Sequence, residues 1–178
     1  VLQTLAEYPE YELVRCLKRT DRKELLLFRH RELDRYIVQR TLHRADAGIY
    51  QKLSRILHPN LLEIYEAIQD GPDAYILEEY FDGIPLSQIL EDRKPTEAEI
   101  QKILLALCNA LEILHRLGII HRDIKPQNIM LDSAGHIKLI DYDISKFHKE
   151  ERDDDTTMLG TLGFAAPEQF GLAQSNER

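Results

Sequence analysis

Eight consecutive residues hold the densest chemistry in the chain: His121-Arg122-Asp123-Ile124-Lys125-Pro126-Gln127-Asn128. They put a carboxylate, an ammonium and a carboxamide on one short segment. A carboxylate such as Asp123 can orient an attacking hydroxyl and accept its proton. Lys125 can neutralise charge on a transferring phosphoryl group, and Asn128 can offer its amide oxygen to a hard cation such as Mg2+. A second segment, Ile140-Asp141-Tyr142-Asp143, adds Asp141 as a natural metal ligand. A third runs from Gly160-Thr161 to Ala166-Pro167-Glu168. Taken singly, an Asp or Asn in such a place reads equally well as a turn cap. The weight lies in the set and in its order along the chain.

Regular elements must hold these segments in place. Upstream, Thr96-Glu97-Ala98-Glu99 has capping-box spacing, with Pro95 just outside. Ile100, Ile103, Leu104, Leu107, Leu111 and Leu114 then form an apolar stripe, so the pattern predicts an amphipathic helix over Glu97–Leu117 stopped by Gly118. Downstream, the apolar runs Ile129–Leu131 and Ile137–Ile140 flank the turn signal Asp132 to Gly135 and predict a hairpin. The first part of the chain reads as strands at Tyr11–Leu17, Glu24–Arg29, Tyr36–Arg40, Glu63–Ile68 and Ala74–Tyr80. A helical pattern covers Asp46–Leu57 and ends at His58-Pro59-Asn60. A mostly local antiparallel sheet joined to a helical part, through a linker near Phe81–Pro85, predicts two lobes with a ligand cleft.

Composition narrows the classes. The 178 residues include 23 Lys+Arg and 31 Asp+Glu, a net charge of −8. That excess argues against nucleic acid as a partner, because a binder needs a basic surface to displace counterions. With 43% hydrophobic and 30% charged residues the chain is globular. Cys16 and Cys108 have no metal-ligand spacing and point to a reducing compartment, hence a cytoplasmic location. The longest apolar run, Ile103–Cys108, is too short to span a bilayer, so no membrane contact is expected within this chain. The chain opens on Val1 and ends at Arg178, which reads as a fragment.

In these segments the sequence resembles the eukaryotic-type serine/threonine protein kinases, in a bacterial style, truncated after the Ala-Pro-Glu motif. The catalytic-loop pattern H-R-D-x-K-P-x-N is matched at every fixed position by His121–Asn128. His58-Pro59-Asn60 and Glu79-Tyr80…Gly83 fall where the family has its helix-end motif and interlobe hinge. The resemblance covers about Tyr11 to Gln169 and implies an α+β, two-lobed protein-kinase-like fold. A five-stranded antiparallel N-lobe would cover 11–80, a hinge 81–85, and an incomplete helical C-lobe 86–178. It implies transfer of the ATP γ-phosphoryl group to a Ser or Thr hydroxyl of a protein substrate, with Mg2+. Asp123 then orients the acceptor hydroxyl and Lys125 contacts the γ-phosphate. Asn128 and Asp141 hold the metal, and the hinge backbone at Glu79–Phe81 meets adenine. His121 is structural, and Glu168 belongs to an ion pair. Arg122 is expected to pair with a phosphate on Thr157.

Four departures from the family pattern bear on activity. The first glycine in the chain is Gly48, so the loop Arg19–Lys23 lacks the glycines that bring backbone N–H groups close to phosphate. Gln39 stands where the family has a Lys, with Arg40 next to it; a one-residue shift of register makes Arg40 the cation. The partner Glu of that Lys falls at Ile49 or Tyr50. Asp143 replaces the glycine of the D-F-G motif. Losing a charge-assisted phosphate contact costs roughly 1.5–3 kcal/mol, which slows a reaction without abolishing it. The alternative is a pseudokinase that binds nucleotide or a partner. A small-molecule phosphotransferase on the same fold is opposed by the Gly160–Glu168 segment.

Overall fold

A computed structural model describes residues 5–143, 146–147 and 164. The chain divides into two compact units. The first is built from residues up to Leu57 together with Leu62–Phe81; the second takes in His58–Leu61 and the chain from Asp82 onward.

The first unit is a five-stranded antiparallel sheet. Its strands are β1 (Tyr11–Arg19), β2 (Lys23–His30), β3 (Arg35–Leu42), β4 (Ile64–Asp70) and β5 (Asp73–Glu79), in the order β1-β2-β3-β5-β4. All five strands read from the sequence are present. The neighbour order is less local than expected, because β3 pairs with β5, from Ile37↔Glu79 to Leu42↔Ala74. In β5 the burial alternates strictly, with Ala74, Ile76 and Glu78 turned inward. In β3 the residues Val38 to Leu42 are all buried, so both faces are covered there. One face takes a short 3-10 turn at Leu5–Glu7, whose Leu5 is buried.

Helix α1 is shorter than its pattern, at Gly48–Leu53. No side chain caps its start at Ala47, and after Leu53 the backbone passes into tight turns, with Ile56 N bonded to Leu53 O. Leu57 is 78% exposed and lies outside the helix, so the helix ends before the last residues of the pattern. Tyr50 and Leu53 are its buried anchors.

In the second unit, β6 (Gly83–Pro85), β8 (Ile129–Asp132) and β9 (Ile137–Leu139) form a three-stranded antiparallel sheet. The hairpin β8–β9 is the one read from the sequence. Strand β6 and helix α2 (Leu86–Asp92) occupy a stretch whose first residues read as linker; Gly83–Pro85 is instead paired with Met130–Asp132. Helix α3 spans Glu97–Arg116 and carries the expected capping box: Thr96 accepts from Glu99 N while the Glu99 carboxylate accepts from Thr96 N. Gly118, at φ +71°, ends it. The buried stripe is Ile103, Ala106, Ala110 and Leu114, while Ile100, Leu104 and Leu105 are exposed. The packed face is thus rotated towards the alanines, which allow closer approach of the neighbouring strands than leucines do. Strands β7 (Ile119–Ile120) and β10 (Lys146–Phe147) pair with one another.

The His58–Asn60 stretch is tied to the β8–β9 hairpin. Leu139 N donates to Asn60 O at 2.9 Å, Asn60 Nδ2 donates to Ile137 O at 2.9 Å, and Lys138 Nζ reaches Leu61 O at 3.1 Å. Residues 148–163 and 165–178 lie outside the described residues, and with them Thr157, the Asp153–Asp155 charge run and Glu168.

Candidate active site

The loop between β7 and β8 begins with His121, whose side chain is buried and does structural work. Its Nε2 lies 3.1 Å from Ile140 O, its Nδ1 accepts from Asp123 N at 3.3 Å, and its ring meets Tyr142 edge-on at 5.5 Å. These contacts fasten the loop to the chain that leaves β9. Burial pushes the His121 pKa below its ordinary value. The backbone carbonyl of Ile140 and the carboxylates of Asp141 and Asp123 act in the opposite direction. The imidazole is therefore neutral at physiological pH, and both its ring nitrogens are engaged inside the fold, which is the structural role expected from the sequence.

Asp123 gathers the loop. Lys125 Nζ is 2.6 Å from Asp123 Oδ2, and Asn128 Nδ2 donates both to that oxygen and to Asp123 O, each at 2.8 Å. The 3-10 turn Pro126–Asn128 makes this reach possible by folding Asn128 back over the loop. Two donors on one carboxylate oxygen favour the ionised form, as a proton acceptor requires. The side chains of Lys125 and Asp123 are 18% and 13% exposed, so their attraction is little screened by water.

Both hydrogen bonds of Asn128 use its amide nitrogen, which fixes the orientation of the carboxamide. Its oxygen has no protein donor among the described residues, although Asn128 is only 4% exposed. A nearly buried carbonyl oxygen left to accept is what a hard cation takes. Ile140 N donates to Asn128 O, so the loop and the segment bearing Asp141 are joined by backbone.

Asp141 has a φ of +69° and Arg122 one of +67°. Among the described residues the other non-glycine positive angles are at Asp34 and Arg44, in surface turns. Left-handed backbone at partly buried, non-glycine positions is costly and is kept where the local geometry has a purpose. The unusual angle thus falls on the first residue of Asp141-Tyr142-Asp143, not on Asp143, the position read as the former glycine. Tyr142 is buried and donates through its hydroxyl to Leu139 O at 2.8 Å, which holds Asp141 beside the loop.

Among the described residues no three His, Cys, Asp or Glu side chains converge as a metal cage. Asn128 and Asp141, the pair expected from the sequence, would offer two oxygen ligands from the protein. That set suits Mg2+, which keeps waters and takes its remaining ligands from phosphate. The groove of about 600 Å3 in the second unit is lined by Ile84, Ile103 and Ile137 and does not include Asp123.

In the first unit the register differs from the sequence reading. Gln39 does not occupy the place of the strand's cation. Its Oε1 accepts from Leu5 N at 2.8 Å, under the N-terminal turn. Arg40, on the opposite face because neighbouring strand residues alternate, forms a buried ion pair with Glu78 on β5. Its Nη2 is 2.8 Å and its Nε 3.2 Å from Glu78 Oε1, with both side chains 3% exposed. The ring of Tyr50 from α1 lies 5.7 Å from the guanidinium carbon. Arg40 thus takes its counter-charge from the sheet, at Glu78, and not from α1. Strict alternation along Ala74, Ile76 and Glu78 is the signal that marks Glu78 as inward-facing. Glu79, one residue on, accepts through Oε2 from Glu63 N at 3.1 Å, and Glu79 N donates to Glu63 O. Phe81 closes the first unit and is half-buried.

Residues 16–177 match the family model of the protein kinase domain. The chain is 35% identical over 116 residues to CBL-interacting serine/threonine-protein kinase 3 of Arabidopsis thaliana, covering 64% of this chain and 26% of that protein. It is 30% identical over 158 residues to CBL-interacting serine/threonine-protein kinase 26 of the same plant, with 87% and 36% covered. It is 34% identical over 119 residues to the probable serine/threonine-protein kinase PknB of Lactococcus lactis, with 66% and 19% covered. The chain thus spans between a fifth and about a third of the length of these curated relatives. Its five-stranded antiparallel sheet, its H-R-D loop and the match over nearly all its residues place it in the protein kinase domain family.

Proposed function

We propose that the protein transfers the γ-phosphoryl group of ATP to a serine or threonine hydroxyl of a protein substrate. The observation that carries this reading is the hydrogen-bonded set Asp123, Lys125 and Asn128, held by His121 beside Asp141. Asp123, ionised and fixed by two donors, accepts the hydrogen bond of the acceptor hydroxyl and takes its proton as the new O–P bond forms and the bond from the γ-phosphorus to the bridging oxygen breaks, with ADP as the leaving group. Lys125, within reach of the same carboxylate, offsets charge on the phosphoryl oxygens. Asn128 Oδ1 and the Asp141 carboxylate would hold Mg2+, which would supply neutralisation of the phosphate charge. The main chain at Glu79–Phe81 is assigned to adenine. Gln39 is not retained as a nucleotide contact, because its carboxamide oxygen is committed to Leu5. Relatives named as serine/threonine-protein kinases support the choice of acceptor.

A serine or threonine peptide library, incubated with ATP and Mg2+, tests the reading. Asp123→Asn is expected to lower the transfer rate by roughly 10²–10⁴-fold, the usual contribution of a positioned base. Transfer unaffected by Asp123→Asn and by Asp141→Ala would overturn it. ATP binding with no transfer by the unaltered protein would favour the pseudokinase instead. No helix among the described residues is long and apolar enough to cross a membrane. The two free, exposed cysteines support a reducing, cytoplasmic site of action.

A further inference from the structure

The face of the sheet that carries Gln39, opposite the Arg40–Glu78 pair, holds a groove of about 540 Å3. Its floor includes one cross-strand row: Gln39 on β3 and Glu66 on β4 both pair with Leu77 on β5. Leu5, Glu10 and Asp70 also line it.

Two features point to a ligand. The first is Gln39, which is 2% exposed. Because its Oε1 accepts from Leu5 N, the carboxamide is fixed, and Nε2 is left with no protein acceptor among the described residues while the side chain lines the groove. That nitrogen is reached from the groove and can donate to a carbonyl or similar acceptor placed there. The second is charge. Three carboxylates, Glu10, Glu66 and Asp70, line the groove and no Lys, Arg or His does. None of the three enters an ion pair among the described residues. They do not converge on a point as metal ligands would, so the complementary ligand is an extended cation.

We propose that this groove docks a short, extended segment of a partner protein that carries a lysine or arginine two residues from an aliphatic side chain, so that both face the groove. The cation meets the carboxylates, the aliphatic group packs on Leu5 and Leu77, and a main-chain carbonyl accepts from Gln39 Nε2. A polyamine supplies the charge but has no acceptor for Gln39. The site is independent of the phosphotransfer residues, all of which belong to other segments of the chain.

The probe is a fluorescein-labelled, capped hexapeptide with lysine at its first and fifth positions, leucine at its third and serine elsewhere, so that the lysines and the leucine share one face; it is titrated with the 178-residue chain and read by anisotropy. Its counterpart with glutamate in place of lysine is expected not to bind. Glu66→Gln with Asp70→Asn, both exposed and safe for folding, is expected to weaken binding at least about tenfold. Glu91→Gln with Asp92→Asn removes the same charge from α2 and is expected to change binding by less than about twofold. Gln39→Met is expected to weaken the peptide but not spermidine. Equal losses from the two charge-matched pairs would overturn the proposal, since simple attraction to an acidic protein would then explain binding. So would spermidine that competes as tightly as the peptide. Sedimentation showing a dimer that Glu66→Gln/Asp70→Asn dissociates would also overturn it, because the occupant would then be a second copy.

Discussion

Asn128 joins two tasks, the tethering of Asp123 by its nitrogen and an open acceptor at its oxygen. Asn128→Ala removes both. The chain is expected to lose about 1–3 kcal/mol of stability in urea titration, and the Mg2+ needed for half-maximal transfer is expected to rise at least about tenfold. His121 gives a pH signature. Burial lowers its pKa in the folded chain relative to the unfolded one, so the unfolded state binds the proton first. The stabilisation is fully present above the unfolded value of about 6.5 and is lost as pH falls from there towards the depressed folded value. Thermal melts between about pH 7.5 and pH 5 are expected to show a steeper loss for the native chain than for His121→Gln.

At the scale of elements, the capping box at the start of α3 was legible because its residues are contiguous, and it is the device that positions the helix before the loop. Thr96→Ala is expected to cost about 1 kcal/mol. Glu99 is held down to about 2, by the Arg93 guanidinium first and then by the Thr96 amide and hydroxyl. Its contribution is therefore present above the ordinary glutamate range and fades as pH falls towards about 2. Circular dichroism of Glu99→Gln beside the native chain is expected to differ above that window and converge below it. The Arg40–Glu78 pair was not legible, since it joins residues 38 positions apart on strands that are not neighbours in sequence. Reading β3 alone left Gln39 and Arg40 as rivals; only the alternation in β5 turns Glu78 inward and selects Arg40. Arg40→Met or Glu78→Gln alone is expected to cost about 3–5 kcal/mol, because each leaves a buried group without its counter-charge. Arg40→Met combined with Glu78→Leu is expected to recover most of that in urea titrations.

For the molecule as a whole, family and fold class were legible from a handful of contiguous motifs and from strand periodicity. The short strands β6 and β7 and the helix α2 were not, because two or three residues make no period and their pairing partners lie far along the chain. The face of α3 was misread for a related reason. Leucines define the stripe in the sequence, but the close-packed contacts go to Ala106 and Ala110, leaving Leu104 and Leu105 at 56% and 65% exposure. Exposed leucines in adjacent positions favour self-association. Leu104→Glu with Leu105→Lys is expected to keep the chain monomeric at higher concentration in sedimentation, with little change in stability, within about 0.5 kcal/mol.

The excursion of His58–Leu61 into the second unit has a consequence for anyone wishing to take the chain apart. The polypeptide passes from the first unit to the second, returns, and passes over again, at residues 57–58, 61–62 and 81–82. A single protease cut after Phe81 leaves both remaining passages on the N-terminal piece, which keeps residues 58–61 of the second unit. A gene fragment ending at Phe81 would carry Asn60 away from Ile137 and Leu139, leaving its hydrogen-bonding groups without their docking strand. Neither unit is a contiguous stretch of sequence, so neither can be exchanged between relatives by one splice without also transplanting that four-residue bight.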